Sequence, residues 1–165
     1  IIEGRDAEGN VTVLASGGSF SSHISLVGNR AGMLCVPDTN FQPQHGQYVY
    51  LSEDFTEVDP KELFGKTYVQ YDNCGAAGKS SIDENGMVTD LDDPSEPAHK
   101  IDLQAFTQEG YKTGHGQSAA IDRAKAYKYT VNGKTTYAVA GVISVDPDVP
   151  EADPSEQNVY LLISQ

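Results

Sequence analysis

The amino-acid sequence predicts a mainly β or α+β fold, in which an antiparallel sheet carries one or two short helices; an all-β sandwich or barrel is the alternative. Three observations favour this fold class. An Asn-Gly turn joins two runs of β-forming residues, further short runs of this kind recur along the chain, and few segments have helical periodicity. A chain of 165 residues buries on the order of 70% of its unfolded surface and is long enough to fold as one domain.

The first half of the chain contains five predicted strands. Each is a short run rich in β-branched, aromatic or other apolar residues, and turn-forming residues separate the runs. They span residues 11–15, 19–27, 32–36, 47–52 and 67–71.

Helical signals are few. Asp59 is a suitable N-cap, Pro60 suits the first helical position and Gly65 is a stop, which predicts one or two helical turns. Residues 102–112 place apolar side chains at roughly helical spacing and predict a second helix. Residues 118–125 either form a third short helix or lead into the hairpin that follows.

The clearest local signal is the hairpin around Asn132-Gly133. Both residues tolerate the positive φ of a type I′ turn, whose twist matches that of the flanking strands. A two-residue loop then pairs Val131 with Lys134, Tyr129 with Thr136 and Tyr127 with Ala138.

The strand that follows this turn continues over residues 137–145 and is apolar on both faces. A strand of that kind belongs in the centre of a sheet that is covered on both sides. After a spacer of Pro and acidic residues at 147–156, residues 158–164 are predicted to return to the sheet as a terminal strand.

The chain is expected to form a single domain over residues 6–165. Residues 1–5 are a possible linker remnant, because they include Ile-Glu-Gly-Arg, a protease recognition sequence common in expression linkers. Residues 73–97 are predicted to be an acidic loop, since Gly, Pro and acidic residues make this stretch too polar to pack.

The charge of the chain limits its partners. There are 24 Asp and Glu residues against 11 Lys and Arg residues, which gives a formal net charge of −13. Nucleic acid is disfavoured, because phosphate binding needs clustered Lys or Arg. The sequence contains no run of about 18 apolar residues, so membrane insertion of this segment is not predicted. The expected partner is therefore a small-molecule ligand or a neighbouring protein subunit, with no prediction of the oligomeric state.

Cys35 and Cys74 are the two cysteines, and no C-x-x-C motif suggests a zinc or redox site. Two buried free thiols remain possible, but a disulfide is favoured because the acidic, Tyr- and Gly-rich composition is typical of extracytoplasmic proteins. Such a bond closes a loop of about 40 residues and is worth roughly 3–4 kcal/mol. The expected location is extracellular or periplasmic.

Acidic clusters offer weak calcium ligands at Asp83, Asn85, Asp90 and Asp92, around a Gly turn but without EF-hand spacing. No other cofactor is expected. The sequence has no paired histidines at helical spacing, no G-x-S-x-G motif and no phosphate-binding loop, so no catalytic residue is predicted. An enzyme stays open as a third class, since paired carboxylates are available in so acidic a chain.

Several short segments between residues 48 and 145 occur in a characteristic order. The segments are Tyr48-Val49-Tyr50-Leu51, Asp59-Pro60, Leu63-Phe64-Gly65-Lys66, Leu103-Gln104-Ala105-Phe106, Gly114-His115-Gly116, Lys125-Ala126-Tyr127 and Val139-Ala140-Gly141-Val142-Ile143. This order is similar to that of Cache-type extracellular sensor domains, the PAS-like modules of chemoreceptors and sensor kinases. The resemblance covers about 100 residues and implies an extracellular ligand-sensing domain.

The sequence thus predicts a non-enzymatic, extracytoplasmic, sensor-like domain that binds a small molecule in a pocket on the sheet. The alternative is a structural or adhesive extracellular β module, such as a filament subunit or cell-surface domain that donates its terminal strand to a neighbour. The candidate ligand-binding residues lie on strands that flank the expected pocket, or at its rim in the case of the histidine: Tyr68, Tyr71, Lys125, Tyr127, Tyr129 and His115.

Overall fold

The computed structural model describes residues 2–5, 11–15, 21–35, 47–72, 74–114, 119–145 and 157–165. These residues form fourteen strands and two 3-10 helices, which span Pro60–Leu63 and Leu103–Phe106. The strands are β1 (Ile2–Arg5), β2 (Val11–Ala15), β3 (Ser21–Leu26), β4 (Ala31–Cys35), β5 (Gln47–Leu51), β6 (Thr56–Glu57), β7 (Lys66–Asp72), β8 (Gly75–Ile82), β9 (Met87–Asp90), β10 (His99–Lys100), β11 (Tyr111–Thr113), β12 (Ala120–Val131), β13 (Lys134–Val145) and β14 (Gln157–Ser164).

The strands pair into two antiparallel sheets, which confirms the predicted mainly β fold. Sheet A contains β1 to β5 in chain order. Sheet B follows the order β10-β9-β8-β7-β14-β13-β12-β11, with β6 paired separately to β12, and it curls into a half-barrel. In the described ranges, no helix is long and apolar enough to cross a membrane.

The hairpin of β12 and β13 confirms the predicted turn and register. Asn132 and Gly133 both have positive φ, at 50° and 78°, as a type I′ turn requires. The Cα partners include all three of the predicted pairs, from Val131 with Lys134 to Tyr127 with Ala138.

Strand β13 is a central strand of sheet B, as its apolar sequence predicts. It lies between β12 and β14, and its two faces contribute to different parts of the core. Ala138 packs on the face that contacts sheet A, whereas Val139 packs on the opposite face. Alternation of side chains along a strand therefore places neighbouring residues in two separate cores.

The first core lies between the two sheets and makes them a sandwich. Its fully covered residues include Met33 on sheet A and Leu161 on sheet B, both with no solvent exposure. The complete set is Ile24, Leu26, Ala31, Met33, Phe55, Val69, Tyr71, Cys74, Tyr129, Ala138, Leu161 and Ile163.

The second core lies on the other face of sheet B, under the 3-10 helices and the loops beside them. Its buried residues are Leu63, Tyr68, Ile82, Ala124, Ala126 and Val139, with Phe64, Phe106 and Leu162 among the half-buried side chains packed against them.

The first 3-10 helix follows the predicted signals. The Asp59 side chain accepts a hydrogen bond from the Lys61 N–H at 2.9 Å, and Pro60 occupies the first position. Leu63 then inserts into the second core with no exposure. This short helix therefore covers part of sheet B.

The prediction of a longer second helix over residues 102–112 is wrong. The 3-10 helix ends at Phe106, and Gly110 adopts a φ of 76° before β11 begins. A side chain at position 110 would collide with the backbone of Asp122, so the glycine allows β11 to approach β12.

Residues 120–125 belong to strand β12. They therefore lead into the hairpin, and the alternative of a third short helix over residues 118–125 is wrong.

Residues 73–97 are not one continuous loop, because they contain β8 and β9. Strand β8 pairs through its backbone with β7 on one side and with β9 on the other, and this pairing compensates for the polar sequence. The Asp92 carboxylate also accepts a hydrogen bond from the Lys79 N–H at 2.7 Å. The predicted spacer at residues 147–156 lies outside the described residues.

At the N-terminus, Ile2–Arg5 pairs with β2. This pairing does not test whether the segment comes from a linker.

The terminal strand β14 lies inside sheet B, between β13 and β7. Leu161 and Ile163 face sheet A, while Leu162 faces the second core. The predicted return of residues 158–164 to the sheet is confirmed, and β14 completes the core of its own chain.

A disulfide joins Cys35, at the end of β4, to Cys74, at the turn between β7 and β8, with Cα atoms 5.9 Å apart. The Cys74 N–H also lies 3.2 Å from the Met33 sulfur. The predicted disulfide is confirmed, and it covalently connects sheet A to sheet B.

Replacement of both Cys35 and Cys74 by Ser should lower the free energy of unfolding by about 3–4 kcal/mol, because the unfolded chain regains the entropy of a 39-residue loop. Chemical denaturation measures the loss, and the native protein with reductant should show a similar one. If both thiols of the unreduced native protein react with an alkylating agent, the disulfide is absent.

Replacement of Gly133 by Val should destabilise the fold by roughly 1–2 kcal/mol. The reason is backbone strain alone, since no atom lies within 4 Å of the added Cβ and a β-branched residue resists positive φ. Gly133→Asn is the control, and thermal melts should place it closer to the native protein. Identical melts for the Val variant and the native protein would contradict the type I′ turn.

Candidate small-molecule site

A cavity of about 490 Å³ lies on the face of sheet B that is turned away from sheet A. Its floor is formed by strands β7, β14, β13 and β12 of the curled sheet. The two edge strands of sheet B, β10 and β11, both contribute to its walls, together with the second 3-10 helix. The curl of the sheet thus brings residues that are far apart in the chain around one space.

The cavity has an apolar floor. Ile82, Val139 and Leu162 are side chains of the second core that also line the cavity. Ala105 and Phe106, from the second 3-10 helix, line it as well. The cavity is therefore an incompletely filled part of the second core.

Polar side chains interrupt this apolar surface: Gln70, Ser80 and Thr113 line the cavity, and Tyr160 and Asp122 form a hydrogen-bonded pair within it. The Tyr160 hydroxyl, on β14, donates a hydrogen bond of 2.8 Å to Asp122 Oδ1, on β12. Strand β13 lies between them, and Gly141 is the cross-strand partner of Tyr160. A Cβ at position 141 would overlap the Tyr160 ring. Glycine at this position therefore lets the tyrosine ring lie across the sheet and reach the carboxylate.

Partial burial changes the acid–base properties of this pair. Desolvation raises the pKa of Asp122; the Tyr160 hydrogen bond opposes that shift, and the charge of Asp102 adds to it. Burial, followed by the Asp122 charge, raises the pKa of Tyr160. The tyrosine is consequently a hydrogen-bond donor at neutral pH, and Asp122 protonates more readily than an ordinary aspartate.

The mouth of the cavity combines charged and aromatic side chains. His99, Lys100 and Asp102 line it and are exposed. Tyr111 and Ile143 are large apolar residues that line the cavity yet keep 38% and 36% of their surface exposed. Exposed apolar side chains around an opening are typical of an entrance to a binding site.

The structure does not bring the described members of the predicted ligand-binding set into one site. Tyr68 is fully buried in the second core, and its hydroxyl donates to the Leu63 carbonyl at 2.8 Å. Tyr71 and Tyr129 pack between the sheets and together line a separate surface groove. His115 lies outside the described residues. The three tyrosines are thus core side chains in this arrangement.

Lys125 and Tyr127 do share a surface groove, of about 690 Å³, which Arg123 and Glu57 also line. Lys125 Nζ lies 3.1 Å from a Glu57 carboxylate oxygen, and both side chains are more than half exposed. An exposed pair of this kind is worth little, and the Glu57 carboxylate already engages the ammonium that was expected to anchor a ligand.

Three of the four predicted calcium ligands, Asp83, Asp90 and Asp92, accept hydrogen bonds from nearby backbone N–H groups, and the fourth, Asn85, donates its own N–H to Asp83. Asp83 Oδ1 accepts hydrogen bonds from the N–H groups of Asn85 and Met87, each at 2.8 Å. The side chain of Asp90 caps the following turn in the same way, and Asp92 binds β8. Within the described ranges, no three His, Cys, Asp or Glu side chains are grouped to hold a metal ion. Calcium binding stays an untested prediction.

A second polar cluster lies on sheet A, where His23, Ser25 and Tyr50 contact one another. His23 Nε2 is 3.0 Å from the Tyr50 hydroxyl and 3.3 Å from Ser25 Oγ, and the two hydroxyls are 3.1 Å apart. Gly32 lies beneath the Tyr50 side chain. Ser25 is only 7% exposed, so the three groups satisfy one another and stabilise the sheet.

Sequence reasoning missed Asp122 and Tyr160, the two residues that define the cavity. The available signal was a glycine, Gly141, within an otherwise apolar central strand. Glycine inside a strand marks a close approach of another group. Which group approaches depends on the pairing of β14 with β13, and this pairing is not a local property of the sequence.

Replacement of Asp122 by Asn should reduce the pH dependence of stability. Because the folded-state pKa of Asp122 is raised, the native protein loses stability as pH rises from the ordinary aspartate value through the raised value. The variant lacks this loss but still accepts the Tyr160 hydrogen bond. Denaturation between about pH 3 and pH 8 should show a difference that begins near the ordinary aspartate pKa and levels off above the raised pKa.

Tyr160→Phe is the companion variant. It removes the hydrogen bond that lowers the Asp122 pKa, so the loss of stability should extend to higher pH. A constant difference between Asp122→Asn and the native protein at every pH would contradict the perturbed carboxylate.

Comparisons with known proteins do not assign a function to the cavity, so its assignment rests on the geometry described above. The chain matches no protein-family model, no curated protein and no solved structure.

Proposed function

We propose that the protein is a non-enzymatic, extracytoplasmic module that binds a small molecule in the cavity on sheet B. The observation that carries this proposal is the combination of a space of about 490 Å³ with an apolar floor and one central polar pair, Tyr160 and Asp122. Ligand pockets typically measure 300–1,000 Å³ and combine an apolar lining with a few polar groups that orient the ligand.

The polar pair supports binding rather than catalysis. The Tyr160 hydroxyl is engaged with Asp122, and its raised pKa keeps it protonated at neutral pH, so no tyrosinate is available to act as a general base. Asp122 is held by this hydrogen bond and has the chemistry of an anchor for a donor group on a ligand. The proposed role of the pair is therefore to orient a bound molecule.

The disulfide supports the extracytoplasmic part of the proposal. Disulfides persist in oxidising compartments and are rare in reducing ones. The bond here joins Cys35 to Cys74, which is 9% exposed. The resemblance to Cache-type sensor domains stays a prediction, and it agrees with an extracytoplasmic binding role.

The alternative is a structural or adhesive module, and its filament version requires association between copies. A donor mechanism through β14 would remove a central strand from sheet B and expose Leu161, which is fully buried. This cost favours the binding module. Size-exclusion chromatography at two protein concentrations separates the hypotheses, since a concentration-independent monomer excludes the filament.

Replacement of Ile143 by Trp should block the cavity, because Ile143 lines it and is the cross-strand partner of Asp122. The probe is N-phenyl-1-naphthylamine, an uncharged dye whose fluorescence increases in apolar surroundings. The native protein should enhance its fluorescence saturably, and the variant should lose more than about half of this enhancement, since the added ring fills the entrance.

Val131→Trp is the matched control. Val131 is 45% exposed at the hairpin turn and lies outside this cavity, so the variant should bind the dye like the native protein. Absence of saturable binding to the native protein, or equal binding by both Trp variants, would contradict the proposed site.

A further inference from the structure

We propose that the ligand is an amphipathic organic cation, whose apolar body fills the floor of the cavity and whose protonated amine pairs with Asp122. This inference rests on the proposed function and adds the chemical class of the ligand.

The Asp122 carboxylate retains the capacity to bind a cation. Tyr160 is its only hydrogen-bond donor in the described part of the chain, and that bond uses Oδ1. A carboxylate accepts about four hydrogen bonds through its two oxygens. Asp122 lines the cavity at intermediate exposure, so a ligand ammonium reaches it in a partly desolvated site. There, a charged hydrogen bond is stronger than at the surface.

Aromatic rings lie beside this carboxylate. Tyr111 is the cross-strand partner of Asp122 on β11, and side chains of such partners lie on the same face of a sheet. Tyr160 contacts Asp122 directly, and Phe106 lines the same cavity. Aromatic faces attract cations and repel anions. The surroundings of the carboxylate therefore favour an ammonium group.

The remaining charges of the cavity do not reverse this preference. The charged or basic side chains of the lining are Asp102, Asp122, Lys100 and His99. Asp102, Lys100 and His99 are all exposed, where water screens their charge, whereas Asp122 is of intermediate exposure and is the least screened of the four. The whole chain carries −13, which raises the local concentration of cations and lowers that of anions.

The apolar floor selects the rest of the ligand. Ile82, Val139 and Leu162 offer no polar side-chain atoms. Gln70 on β7 and Ser80 on β8 are polar neighbours of these side chains in the lining. A fully polar cation such as a small diamine would therefore lose more hydration against the apolar side chains than these two groups replace. A ligand with one charged end and an aromatic or aliphatic body satisfies both parts of the cavity.

The test uses three molecules of similar shape that compete with N-phenyl-1-naphthylamine: 2-phenylethylamine, 2-phenylethanol and 3-phenylpropionate. The amine should displace the dye at a concentration at least about tenfold lower than the alcohol, and the carboxylate should be weakest. In Asp122→Asn, which keeps an acceptor for Tyr160, the advantage of the amine over the alcohol should fall to about twofold or less.

Asp54→Asn is the matched control, because Asp54 forms an exposed ion pair with Arg30 outside the cavity. This variant should keep the preference of the native protein for the amine. Circular dichroism and thermal melts establish that both variants are folded.

The outcomes separate the two proposals. If the dye binds and Ile143→Trp blocks it, but the amine is no stronger than the alcohol, the cation inference is wrong and the binding site stands. The same conclusion follows if Asp122→Asn keeps the full preference for the amine. If the native protein does not bind the dye saturably, the proposed site itself is wrong.

Discussion

The apolar character of both faces of β13 is the constraint on which the rest of the structure depends. A strand of this kind is stable only when both of its faces are removed from water. In this protein, sheet A covers the face that carries Ala138, and the 3-10 helices with their loops cover the face that carries Val139. The disulfide holds the first of these covers in place at one end. The three-layer arrangement follows from the need to bury one central strand.

The two covers differ in kind, and this difference creates the cavity. Sheet A contributes buried side chains from its described strands β3 and β4 to a core that it shares with sheet B, and Met33 of sheet A and Leu161 of sheet B are fully buried in this core. The other cover consists of short elements that cannot fill the curve of a half-barrel. Because β10 and β11 are opposite edges of the same sheet, the space between them stays open, and the Tyr160–Asp122 pair lies in its lining.

Local signals in the sequence predicted the parts of the fold that local chemistry determines. The Asn132-Gly133 turn, the Asp59 cap and the central position of β13 depend on residues close in the chain, and all three are confirmed. The acidic stretch that contains β8 and β9 looked like a loop, because backbone pairing to the neighbouring strands, rather than burial of most of its side chains, holds these two strands in sheet B. The site was missed for a related reason: Asp122 and Tyr160 are 38 residues apart and meet only after β13 has paired with both neighbours.

The most direct test of this account is a methyl nuclear Overhauser measurement on Ala138 and Val139, which are adjacent in the chain. The account predicts that the Ala138 methyl group contacts side chains of the first core, which includes Met33 and Leu161, and that the Val139 methyl groups contact the second core, which includes Ile82 and Phe106. Contacts from both residues to the same core, or none from Val139 to the elements that cover the second face, would contradict a central strand buried on both sides.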